Sequence, residues 1–135
     1  MVTTKSIVIG ATPSDLYHAC TGLESLPAIL QRVRSVHWTG ETTSHWIVEG
    51  PDNRTLEWDA EWTRLEPGRR IAWNTFRDGD IRTSGQITFN PLPHGQTELT
   101  LMLKVVSEEV ERSPHRAEKL VDQTLRALKT SLEKR

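Results

Sequence analysis

The stretch TLEWDAEWT, residues 55–63, sets three carboxylates, Glu57, Asp59 and Glu61, at alternate positions around two tryptophans. Acids that converge can share protons in general acid–base catalysis or hold a metal ion. In an extended strand, residues two apart share a face, so the acids lie together on one side while Leu56, Trp58, Ala60 and Trp62 take the other. Burying the acids would demand partners or large pKa shifts, and it would leave two tryptophans in water. The expected arrangement is therefore a solvated acidic face and a dry aromatic one.

The remaining reactive side chains do not assemble into a catalytic set. His18, His37, His45, His94 and His115 fall in different elements. His37 and His45 flank one turn and can approach across a hairpin, but no carboxylate or cysteine stands at ligand spacing beside them, so no metal site is expected. Ser14 and His18 are four apart on a short helix without an acid to orient the histidine or an oxyanion hole. Cys20 is the only cysteine; it forms no intramolecular disulfide and reads as a buried thiol. No catalytic residue and no cofactor can be read.

The candidate binding residues are apolar and aromatic. Trp46, Trp58 and Trp73 fall on three successive strands. Facing inward, they either line a cavity and stack on a planar or isoprenoid ligand, or fill the core under a helix. Phe89, Leu101, Leu103, Leu120 and Val121 complete that wall, and Thr75 and Thr124 are polar members that can bond a ligand carbonyl. A helical threonine such as Thr124 more often bonds back to its own preceding turn. Trp38 and Trp62 are expected at the rim or at strand ends, and Gly85 at a bulge or sharp bend that curves the sheet.

The elements that must position these residues follow from periodicity. VTTKSIVIG, residues 2–10, alternates as a strand. Thr12 as N-cap, Pro13 at the first helical position and Gly22 as terminator describe a helix from about 13 to 20. Pro27 keeps a second helix short. From Arg32 to about Val106 a period of two is interrupted by turn signals at Gly40–Glu41, GPDN 50–53, EPGR 66–69, RDGD 77–80 and PLPHG 91–95, which separate six strands. The spacings leave no room for crossover helices, so the strands form an antiparallel meander. After the charged linker SEEVER, Ser113 and Pro114 open a long helix on which Ala117, Leu120, Val121, Leu125, Leu128 and Leu132 recur at three- and four-residue steps.

At 135 residues the chain reads as one domain, 1–135, burying roughly two-thirds of its unfolded surface. Seventeen Lys+Arg against 18 Asp+Glu are scattered, which argues against nucleic acid as a partner. No apolar run approaches the roughly eighteen residues of an integral membrane segment. The single cysteine and the absence of a long apolar run after Met1 point to a cytoplasmic protein.

IVIGATPSDLYHACTGLESLPAILQRVRSV resembles the opening of the START-like (SRPBCC) superfamily, in particular its polyketide cyclase/dehydrase and coenzyme Q-binding members. The resemblance rests on Ala11, Pro13, Leu16 and Tyr17, then Leu23, Glu24, Leu26 and Pro27, then Val33, Ser35 and Val36. SHWIVEG, RTLEWDAEW, RRIAWNTF, SGQITFNP and TELTLML look like the family's middle strands. It implies an α+β helix-grip fold: an antiparallel sheet of about seven strands wrapped around the C-terminal helix, with two short helices after the first strand. It implies a cavity between sheet and helix for a hydrophobic small molecule: a quinone, a lipid or a polyketide-like chain. The alternatives are a polyketide cyclase or dehydratase, with Thr75 or Arg82 as the nearest polar groups, and an interaction protein using the acidic outer face.

Overall fold

The computed structural model describes residues 2–50, 53–76, 79–106 and 114–134. Strand β1 (Val2–Ile9) is followed by helix α1 (Pro13–Thr21), a 3-10 turn at Leu23–Ser25 and the short α2 (Leu26–Ile29). Thr12 Oγ1 accepts the Asp15 N–H at 3.2 Å, which satisfies one of the unpaired donors that open α1. Pro27 sits in the first turn of α2, where a missing N–H costs nothing.

Six strands then run in a meander: β2 (Val33–Trp38), β3 (Thr43–Glu49), β4 (Thr55–Glu66), β5 (Arg70–Thr75), β6 (Arg82–Leu92) and β7 (Gln96–Val106). The order across the sheet is β1-β7-β6-β5-β4-β3-β2, with every pair antiparallel. His94 and Gly95 join β6 to β7 with φ of 64° and 72°, left-handed values suited to the twist of a tight hairpin. The chain ends in α3 (Pro114–Glu133), rich in strong helix formers. The linker at 107–112 and the Ser113 cap lie outside the described residues.

The period-two reading holds across the sheet. Leu56, Ala60, Ile71, Phe89, Leu99 and Leu101 are buried on the inner face, and Glu57, Asp59, Asn74, Met102 and Lys104 are exposed on the outer. The inner face packs with α1 and with Val121, Leu125, Leu128 and Leu132 of α3 into the main core. A second core joins Leu23 and Leu26 to Val33 and Val36 of β2. Leu120 departs from the expected stripe: it is 36% exposed, because residues four and seven on from Val121 put the buried line one position away from it.

Gly85 is not a bulge. It stays in register between Trp73 and Leu103. Its missing side chain makes room instead, because a Cβ there would stand 2.6 Å from the Met102 carbonyl oxygen and 2.9 Å from the Trp73 ring. The register shift falls one strand pair away, in β4 between Trp62 and Arg64, where the extra residue bends the strand and increases its twist. A second shift lies in β2 between Val33 and Ser35.

Two contacts fasten the end of α3 to β1. Lys129 Nζ donates to the Val8 carbonyl oxygen at 2.7 Å and to Glu133 Oε2 at 2.8 Å, and Glu133 Oε2 also accepts the Gly10 N–H at 2.7 Å. The Lys129 ammonium and then the Gly10 N–H hold the Glu133 carboxyl below the usual range.

Candidate functional site

Adjacent strands bring the tryptophans together by register. Trp46 of β3 lies directly opposite Trp58 of β4, and their rings stack with centroids 6.2 Å apart and planes 11° from parallel. The β5–β6 connection fixes the backbone at that point: Asp80 Oδ2 accepts the Glu57 N–H at 2.8 Å, and Asp80 N–H donates to Glu57 O at 3.0 Å. Beyond it, Trp62 lies opposite Trp73 in an edge-to-face pair at 6.3 Å and 86°, and Trp38 reaches Trp62 from β2 at 6.5 Å. All five rings are only half-buried, although they stand on the same inner face as the closed core of Ile71, Phe89, Leu99 and Leu101. This part of the inner face is therefore an apolar wall that α3 does not fully cover.

The indole N–H groups are spent unequally. Trp46 Nε1 donates to Ser44 Oγ at 2.9 Å, and Trp73 Nε1 donates to Thr83 Oγ1 at 3.2 Å. Trp62 Nε1 is shut off from solvent with no partner, the one such side-chain atom among the described residues. Trp62 packs against both cores, so the rim position expected for it is wrong. The period-two reading already placed it beside Trp58. Its position opposite Trp73 depends on a bulge that no local signal in the sequence marks.

The other candidates divide. Leu103 is half-buried beside Trp73, while Phe89, Leu101 and Val121 are closed into the main core. Thr75 Oγ1 accepts the Thr83 N–H at 2.8 Å and lies 3.3 Å from the Ile81 and Thr83 carbonyls, so its hydroxyl serves the β5–β6 connection. Thr124 Oγ1 donates to Leu120 O at 2.9 Å, the back-bond typical of a helical threonine. Arg82 is exposed. Cys20 is buried, and burial pushes its thiol pKa up to about 12, which leaves it unreactive.

Pairing across the strands adds one feature on the outer face. His45 stands opposite Asp59, with Nδ1 2.8 Å from Asp59 Oδ1 and Nε2 3.1 Å from Glu57 Oε1; the His37 ring lies 5.6 Å away. The sequence spacing concealed these carboxylate partners. Among the described residues, no group of three His, Cys, Asp or Glu side chains is arranged to hold a metal ion. The bond to Asp59, then that to Glu57, raises the His45 pKa above its usual 6.5. The pairing therefore stabilises the fold fully below about pH 6.5 and is lost as pH rises through the raised value. In urea melts across pH, wild type should gain stability over His45→Asn on acidification, and the His45 ring resonance should titrate above its usual midpoint.

A hollow of about 300 Å³ also opens on the sheet, lined by residues of β1 and of β4 to β7 that include Ala72, Trp73, Ser84, Gln86 and Met102. Gln86 Nε2 and Met102 Sδ meet there at 3.4 Å. Trp73 is the one aromatic residue that lines it. No helix among the described residues is long and apolar enough to cross a membrane.

Comparison with known proteins agrees with this architecture. A crystal structure of a Deinococcus radiodurans protein is 31% identical, covering 96% of this chain and 95% of its own, with a TM-score of 0.74. A START superfamily protein of Mycobacterium smegmatis is 16% identical with a TM-score of 0.83, covering 98% of this chain and 97% of its own. The Zhui aromatase/cyclase of a Streptomyces species is 15% identical with a TM-score of 0.78, covering 100% and 94%. An uncharacterized 17.2 kDa protein of Streptomyces lincolnensis is 28% identical over 99 residues, 73% of this chain and 65% of that protein. Residues 2–133 match the family described as polyketide cyclase/dehydrase and lipid transport, and the chain, whose seven-stranded sheet and last helix share the fold of the START superfamily protein, belongs to that family.

Proposed function

We propose that the protein binds a hydrophobic or amphipathic small molecule, a quinone, lipid or polyketide-like chain, between the tryptophan-lined inner face of the sheet and α3. The observation that carries this reading is the partly buried wall of Trp46, Trp58, Trp62 and Trp73 beside the closed core of Ile71, Phe89, Leu99 and Leu101. Large rings left partly in water gain by covering with another flat apolar body, each aromatic pair contributing about 0.5–1.5 kcal/mol beyond its buried area. The family's description, which includes lipid transport, supports the same reading.

Turnover by acid–base chemistry has less support. The inner-facing residues of β2 to β5, which include Val36, Ser44, Trp46, Trp58, Trp73 and Thr75, carry no group that titrates near neutral pH. A cyclase reading, prompted by the solved aromatase/cyclases, would leave catalysis to the folding of the bound chain by the wall.

Native mass spectrometry after exposure to lipid extracts should show a bound small molecule, and its binding should quench tryptophan fluorescence. Trp58→Ala should weaken binding roughly tenfold or more while circular dichroism stays native. Absence of any adduct across quinone, lipid and polyketide-like compounds would remove the reading.

A further inference from the structure

We infer that the indole N–H of Trp62 orients the ligand, and that it selects a molecule carrying a neutral oxygen acceptor, such as a ketone or quinone carbonyl, over a plain hydrocarbon or a carboxylate. The inference deepens the proposed binding function and depends on it. Trp62 Nε1 is the one side-chain polar atom among the described residues that is buried without a partner. An orphaned buried donor is costly and uncommon in a folded protein. The rings against it offer no oxygen acceptor: Trp73 is a perpendicular ring at 6.3 Å and Trp38 a tilted one at 6.5 Å.

The chemistry of the wall defines the acceptor. No inner-facing residue of β2 to β5 is cationic, so a carboxylate headgroup would lose its hydration and find one neutral donor in return. A carbonyl needs a single good donor and gives up far less solvation. A hydrocarbon fills the same space but leaves the N–H orphaned. Trp38 and Trp73, both half-buried, are aromatic rings that flank Trp62. A shift of either ring would admit the oxygen, a change in side-chain rotamer of the kind common on binding.

A matched pair of probes, a naphthoquinone and naphthalene, separates the donor from the apolar wall. Wild type should bind the quinone roughly tenfold more tightly, the value of one hydrogen bond to a donor otherwise left unsatisfied. Trp62→Phe keeps an aromatic ring without the N–H and should erase that preference with little change in naphthalene affinity. In 15N-labelled wild type, the Trp62 indole resonance should move downfield with the quinone and not with naphthalene, a readout that holds even where the variant fails to fold. Equal wild-type affinities, equal weakening of both probes by Trp62→Phe, or an indole resonance indifferent to the quinone would each overturn the role of Trp62 while leaving the binding function standing. Failure of wild type to bind either probe, together with no adduct from lipid extracts, would remove the binding function and this inference with it.

Discussion

Leu125→Ala is expected to destabilise the protein by about 2–5 kcal/mol, a large share of the roughly 5–15 kcal/mol that holds a domain folded. Leu125 is 3% exposed and stands in the middle of the α3 line that runs from Val121 to Leu132 against the sheet. Truncation there removes a side chain whose space neighbouring strands cannot close. Leu120→Ala, one helical position from Val121 but 36% exposed, should change stability by no more than about 0.5 kcal/mol. Urea midpoints at a common slope measure both. Similar losses at the two positions would show that the helix is seated with Leu120 inward, as its sequence spacing first suggested.

Gly85→Val is the second large effect, and it reaches the site. A side chain at that position meets the Met102 carbonyl oxygen at 2.6 Å and two carbons of the Trp73 ring at 2.9 and 3.0 Å, distances at which something must move. Overpacking of this kind costs about 1–3 kcal/mol. The ring that moves is the one that donates to Thr83 and packs edge-on against Trp62, so ligand binding should fall along with stability. Gly85→Val combined with Trp73→Leu should recover the part of the loss due to the ring and not the part due to the carbonyl. No recovery at all in the double variant would mean that the ring is not the obstacle.

How much of this could be read from the residues depends on the range of the interaction. The α1 cap, the turns and the inner and outer faces of each strand depend on neighbours a few residues apart, and they were legible in Thr12, Pro13 and the alternation of LEWDAEW. The seven-stranded grip was legible for the same reason, with the family resemblance to close it. Trp62 was misjudged because its importance arises where two strands are offset by one residue, a feature of pairing and not of either strand alone. The carboxylates beside His45 are not legible because spacing along the chain says nothing about Asp59 and Glu57 across a ladder. Gly85 suggests a bulge because a strand glycine often marks one; the ring lying over it belongs to a residue twelve positions earlier. Thr75 looked free for a ligand because the β5–β6 connection that consumes its hydroxyl forms only once the hairpin closes.

The fastening of α3 onto β1 has a consequence beyond holding the helix. β1 is an outermost strand, the kind of margin along which another extended chain can pair. Lys129 occupies the Val8 carbonyl, and Glu133 takes the Gly10 N–H just past the strand's end. The end of the helix thus sets a charged side chain on the margin where another strand would have to dock.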